Sequence, residues 1–145
     1  MSQKGTLLLT GGSGFIGSEV ARIASSQGFD IVNLDFKPPS DPAGRAWWRN
    51  VDIRDAGAVA DAIAAASPAQ IIHLASDIDV NLKELSDYRT TVEGTRNVIA
   101  AAERLPALER FVHVSTQYVV RPGSLPKSET DYLPYTVYGQ AKAET

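Results

Sequence analysis

A run of glycines near the start of the chain carries the first recognisable chemistry. Gly12-Ser13-Gly14-Phe15-Ile16-Gly17 satisfies G-x-G-x-x-G, and Gly11, Gly14 and Gly17 also fit G-x-x-G-x-x-G. The run follows the apolar Leu7-Leu8-Leu9-Thr10, which reads as a strand buried on both faces, and it opens a segment with helical spacing. In that setting glycines turn the chain tightly, let main-chain N–H groups approach a pyrophosphate and aim a helix N-terminus at it. The competing reading is an ordinary tight strand-to-helix turn. Phe15 and Ile16 lie within the motif and join Gly11, Gly14 and Gly17 as candidate cofactor contacts.

Asp35 stands eighteen residues beyond Gly17, at the end of the next predicted strand. A carboxylate there can accept both hydroxyls of an adenosine ribose and would repel a 2′-phosphate. NAD is therefore favoured over NADP, with Lys37 softening the preference; the alternative is an Asp that only starts a turn. Asp52, in Val51-Asp52-Ile53-Arg54-Asp55, ends the third predicted strand beside the expected adenine pocket. Its side chain takes the adenine amino group or helps to cap the following helix.

These residues need a scaffold, and the apolar pattern supplies one. Ile16, Val20, Ile23 and Ala24 predict a helix over Phe15 to Gln27, with Gly28 as a left-handed C-terminal residue. Ile31 to Asp35 reads as the second strand. The three prolines and the glycine of Lys37 to Gly44 make a loop that needs no helix. Trp47 to Val51 reads as a third strand, Ala56 to Ala66 as a helix capped by Asp55, and Ala69 to Ala75 as a fourth strand. Leu85 to Leu105 reads as one long helix with Leu85, Tyr88, Val92, Ile99 and Ala102 on its core face. Phe111 to Ser115 is the fifth strand, and a Pro/Gly/Ser-containing loop over Arg121 to Pro134 leads to a helix near Tyr138.

Such alternation predicts an α/β fold, a doubly wound parallel sheet of the Rossmann type in strand order 3-2-1-4-5, with ligands at the strand carboxyl ends. Residues 1–145 form one incomplete dinucleotide-binding domain. The sequence stops at Ala143-Glu144-Thr145 without a cap, glycine or proline to end the last helix, so truncation is expected.

Composition narrows the partners. A net charge of -3 and a pI near 5.3 give no basic stripe for nucleic acid. The chain has no cysteine and two separated histidines, His73 and His113, so no metal is implied. Both histidines lie in apolar strands and read as core or near-core residues, and Trp47 and Trp48 read as packing and edge cover. The three-leucine run is too short for a signal core or a membrane span, and a cytoplasmic protein is expected.

TGGSGFIG, Asp35, VDIRD, HLAS, VEGTRNVIAAA, FVHVSTQYV and YGQAK together resemble the extended short-chain dehydrogenase/reductase family, the NAD-dependent epimerases and dehydratases. The resemblance covers nearly the whole chain. It implies that Asp52 and Ile53 contact adenine, that Leu74, Ala75 and Ser76 lie beside the cofactor, and that Thr116, Tyr138 and Lys142 are catalytic. Tyr138 and Lys142 are at i and i+4, so on a helix they share a face and the ammonium can favour loss of the phenolic proton. Tyr138 would take the proton of a substrate hydroxyl as hydride leaves the same carbon for the nicotinamide. Thr116 would donate a hydrogen bond to the reacting oxygen, and Lys142 would also hold the nicotinamide ribose. Without its flanks, Y-x-x-x-K is an everyday surface pattern.

The chain departs from the family in three places. Thr91 stands where Asn is usual, Val119-Val120-Arg121 replaces a V-Y-G tail, and the remaining strands and C-terminal substrate domain that the resemblance implies are not expected within residues 1–145. Gly94 stays inside a helix at a local cost of ~1 kcal/mol, which would let that helix approach a neighbour. The function implied is an NAD-dependent epimerase, dehydratase or dehydrogenase acting on a secondary alcohol, foremost of a nucleotide sugar, because Ser128 to Pro134 and Tyr138-Gly139 resemble that branch. The fragment alone is expected to be inactive, and the full-length protein to be a homodimer through the long helix and the Tyr138 helix. A steroid- or flavonoid-type alcohol dehydrogenase is the runner-up. A non-catalytic NAD-sensing module is the rival from another class, and Thr116, Tyr138 and Lys142 argue against it.

Overall fold

Three consecutive leucines can be satisfied only where both faces of a strand are covered, and β1 (Thr6–Thr10) lies at the centre of the sheet with Leu7, Leu8 and Leu9 all buried. In the computed structural model, which describes residues 4–145, β1 pairs in parallel with β2 (Asp30–Asp35) on one side and β4 (Gln70–His73) on the other. β3 (Trp48–Asn50) pairs outside β2, and β5 (Arg110–His113) outside β4. The order is β3-β2-β1-β4-β5, as the alternation of strands and helices predicts.

Period-two alternation along β1 sorts the core into two layers. Leu7 and Leu9 meet Ile31, Ala21 and Ala24, the last two from α1 (Phe15–Ser26). On the opposite face Leu8, Leu34 and Ile71 pack under Val59 and Ile63 of α2 (Ala56–Ala66) and Val98, Ala101 and Ala102 of α3 (Thr95–Ala102). Each fully buried Leu, Ile or Val contributes roughly 1.5–3 kcal/mol. The ends of the elements follow local rules. Gly28 adopts φ 91° after α1, and the Asp55 carboxylate accepts from Ala58 N–H at 3.0 Å to cap α2.

Two expected elements differ. Leu85 to Leu105 is not one helix: a short 3₁₀ turn at Leu85–Asp87 is followed by a π-type turn at Thr90–Gly94 that runs into α3. The buried stripe is Tyr88, Thr91, Gly94, Thr95, Val98 and Ala101-Ala102, while Leu85 is exposed and Val92 and Ile99 are half-buried. Polar Thr91 and Thr95 turn inward because buried hydrogen-bond partners wait for them, and this rotates the face away from the one that hydrophobicity alone selects. The loop after β2 also holds a 3₁₀ turn, Pro42–Ala46, which the Asp41 carboxylate caps at Ala43 N–H.

One buried polar group joins the layers. His73 carries Thr10 Oγ1 at Nδ1, 2.5 Å, and Thr95 Oγ1 at Nε2, 2.8 Å, and stacks on His113 at 5.3 Å between centroids. Burial, then the His113 and Lys142 charges, push its pKa down to about 3.

Candidate functional site

The glycine loop connects β1 to α1 at the carboxyl edge of the sheet. Gly11 takes φ 72° and donates its N–H to Leu34 O at 3.0 Å; a Cβ there would lie 2.8 Å from Ala75 N. At Gly17 a Cβ would strike the Gly11 carbonyl and the Gly12 backbone, so helix and loop touch main chain to main chain. No side chain caps α1 and no acidic residue occupies its first turn. The partial positive charge of that helix end is thus left for something outside the helix. A diphosphate fits this cradle: its oxygens need N–H donors, close approach and positive potential.

Next to the cradle is a cleft of about 410 Å³. Asp35 stands on one side, its Oδ2 accepting from Ser13 N–H at 3.1 Å and its Oδ1 from Lys37 N–H at 3.0 Å. Each oxygen so fixed keeps a lone pair for another donor, as two ribose hydroxyls require. Ser13 is held in turn by the buried Asn33 amide, which donates to its Oγ at 3.1 Å. Trp48 donates its indole N–H to Asp35 O at 2.8 Å, so this Trp fastens the end of β2 besides packing.

Asp52 and Ile53 line the same cleft. Asp52 does not cap α2, since Asp55 does; its carboxylate pairs with Arg54, and hydrogen bonds from that guanidinium hold it below the usual carboxylate range. Ile53 is buried, and a Cβ on Gly94 would lie 2.5 Å from its Cδ1, so the glycine admits the contact that its place in the sequence suggests. Leu74, Ala75 and Ser76, with Gly11, Gly14 and Asp35, complete the set of sequence-predicted residues around the cleft. Phe15 is 96% exposed and Ile16 59%, so neither side chain packs into the core, and neither lines this cleft.

Thr116, Tyr138 and Lys142 gather at the carboxyl end of β5, outside the cleft lining. Thr116 accepts from Tyr118 N–H at 3.3 Å and starts the 3₁₀ turn Gln117–Val119. Tyr138 sits on α4 (Val137–Ala143), which the Thr136 hydroxyl caps at Gly139 N–H. A Cβ on Gly139 would collide with the Tyr118 carbonyl, so this glycine seats α4 on the Thr116 turn, and the Tyr118 and Tyr138 rings meet edge to face at 5.9 Å. Lys142 is buried, donates Nζ–H to Val114 O at 2.7 Å, and has its pKa lowered by burial.

The sequence reading overlooked Asp77 and Asp79, and it gave Tyr88 a core position, where the structure buries it, without a link to the site. Asp77 and Asp79 line the cleft, and the Tyr88 hydroxyl donates to Asp79 O at 2.8 Å while its ring leans on Tyr138 at 6.0 Å. The position of Asp77 just past the fourth strand was a usable signal, because ligands collect beyond strand carboxyl ends. A larger cavity, about 500 Å³, lies on the other side of the loop between α1 and Pro39 to Trp47. It shares Ser13 and Gly14 with the cleft but lacks Asp35, Asp52 and the end of β4. Among the described residues there is no cluster of three or more potential metal ligands, and no helix is long and apolar enough to cross a membrane.

The chain is 31% identical over 140 residues to a 3-beta-hydroxysteroid dehydrogenase of Mycolicibacterium neoaurum, covering 91% of this chain and 37% of that protein. It is 32% identical over 160 residues to a dTDP-glucose 4,6-dehydratase of Streptomyces niveus, covering 94% and 46%. The Bordetella bronchiseptica enzyme WbmG, crystallised in complex with NAD, is similar in structure with a TM-score of 0.81 at 25% identity, over 99% of this chain and 48% of that one. The chain thus spans less than half the length of these relatives. With a glycine cradle, a carboxylate-flanked cleft and a parallel sheet in this order, and with residues 7–145 matching the family's sequence profile, the chain belongs to the NAD dependent epimerase/dehydratase family.

Proposed function

We propose that the cleft holds NAD, with the diphosphate on the uncapped start of α1, the adenosine ribose on Asp35 and the adenine by Asp52 and Ile53. The observation that carries this reading is the pairing of that bare helix end with a carboxylate whose two oxygens are each fixed by one main-chain N–H, in a single cleft. When bound, NAD supplies a hydride acceptor. Tyr138 removes the proton of a secondary alcohol, Thr116 hydrogen-bonds the reacting oxygen, and Lys142 holds the nicotinamide ribose. The alcohol is foremost that of a nucleotide sugar, in keeping with the similarity to a dTDP-glucose dehydratase. Similarity to a 3-beta-hydroxysteroid dehydrogenase supports a steroid alcohol as the second reading.

Titration with NADH, followed by its fluorescence, tests the cofactor site, and no saturable signal would overturn it. In a protein that carries this chain together with a substrate-binding portion, Tyr138→Phe is expected to lower turnover by roughly 10²-fold or more while the NADH Kd stays nearly unchanged. A large loss of affinity would contradict the role given to Tyr138. NADH formation from nucleotide sugars against 3β-hydroxysteroids separates the two substrate readings, and bound NAD left unreduced by both would favour a sensor. Dimerisation of the full-length protein through α3 and α4 is part of the same proposal, checked by sedimentation.

A further inference from the structure

Thr91 is fully buried, and its hydroxyl meets one loop, at Ser76 and Asp77. Asp77 N–H donates to Thr91 Oγ1 at 3.0 Å, Thr91 Oγ1 donates to Asp77 Oδ2 at 3.2 Å, and Ser76 Oγ lies 3.0 Å from Thr91 Oγ1. The Thr91 hydroxyl thus gives its one proton to the Asp77 carboxylate and accepts from the Asp77 main chain. Thr91 N–H closes the clasp by donating to Asp77 Oδ2 at 2.9 Å. The loop that this clasp holds, Ser76 to Asp79, forms one wall of the cofactor cleft.

That wall has little else to keep it in place, since Ile78 at its middle is 88% exposed. Its far end is tied by the Tyr88 hydroxyl to Asp79 O, and Tyr88 is itself fully buried with its ring on Tyr138. Both ties spring from one turn of chain, Tyr88 to Thr91, so displacement at either end reaches the other.

We propose that Asp77 and Thr91 are positioning residues: their clasp sets the Ser76–Asp79 wall against which the dinucleotide lies, and Tyr88 links that wall to the ring of Tyr138. The proposal rests on the reading of the cleft as the NAD site. Thr91→Val keeps the shape and removes the hydroxyl, leaving the Asp77 N–H without its acceptor and the Asp77 carboxylate with the main-chain N–H of residue 91 alone. The NADH Kd, measured well below the thermal midpoint, is expected to rise by about tenfold, with faster hydrogen exchange at the Asp77 amide. Thr91→Ser, which restores the hydroxyl, is expected to recover the wild-type Kd to within about twofold.

A purely structural role would lower the thermal midpoint of Thr91→Val and leave its Kd unchanged, and that result overturns the proposal. So does a Thr91→Ser variant as weak as Thr91→Val. If Thr91→Val does not fold, Asp77→Asn carries the same comparison, because it weakens the acceptor facing Thr91 at a half-buried loop position outside the core. A wild-type chain that fails to bind NADH sinks the cofactor reading, and unprotected exchange at Asp77 in that unliganded chain sinks the clasp separately.

Discussion

A histidine with a threonine hydroxyl on each ring nitrogen is held neutral, and in His73 this has a pH signature. Its folded pKa, about 3, lies below the ordinary value of 6.5. Between those values the unfolded chain binds a proton that the folded chain refuses, so stability is full above pH 6.5 and is lost as pH falls toward 3, by about 1.4 kcal/mol per pH unit for one proton. His113, lowered by burial and by Lys142, acts in the same direction. Thermal midpoints measured down this range are expected to fall with that slope, and His73→Gln should make it shallower; an unchanged slope would show that His73 is not the group. At this scale much was legible: Gly11 to Gly17, Asp35 and the Asp55 cap are local signals that need only their own neighbours. The exposure of the Phe15 and Ile16 side chains was not, because motif spacing fixes the main chain and not where side chains point. The clasp of Asp77 with Thr91 joins residues fourteen apart through a loop without periodicity, and no pattern announces it.

Helices in this fold sit where glycines let them, and the two kinds of helical glycine should respond oppositely to a methyl group. Gly139→Ala drives Cβ into the Tyr118 carbonyl, a backbone atom that cannot swing aside, so a loss of about 1–3 kcal/mol is expected along with displacement of Tyr138 from the Thr116 turn. Gly57→Ala in α2 meets nothing nearer than Asp55 Oδ1 at 3.5 Å and should gain up to ~1 kcal/mol from helix propensity. Thermal unfolding of the two variants checks both signs. The π-type turn at Thr90–Gly94 shows where reading elements from sequence fails. Hydrophobic periodicity places Leu85, Val92 and Ile99 inward, but Thr91 and Thr95 have buried polar partners, and an unmade buried hydrogen bond costs more than a half-exposed Val or Ile.

The strand order of the whole sheet was legible because strands alternate with helices and parallel crossovers are right-handed, which leaves few topologies. What the sheet assembles is a cleft fed by the ends of four strands, β1 to β4, so a ligand there should stabilise the molecule as a unit. NAD at a hundred times its Kd is expected to add about 2.7 kcal/mol and raise the thermal midpoint by several degrees, roughly in the range known for domains of this size. NADP at the same concentration should raise it less, because its 2′-phosphate would meet the Asp35 carboxylate. Equal shifts would remove Asp35 as the selector.

The nearness of Gly11 to Ala75 has one more outcome. Where the bottom of a binding site is made of peptide groups packed on peptide groups, no mutation can re-tailor it without breaking the strands themselves. Adaptation to a new guest is then confined to the side chains that stand above that floor, at Asp35, Phe36, Lys37, Ile78 and Leu82. A randomised library selected for altered dinucleotide preference should return winners at those five positions, Asp35 first, and almost none at 11, 17 or 75.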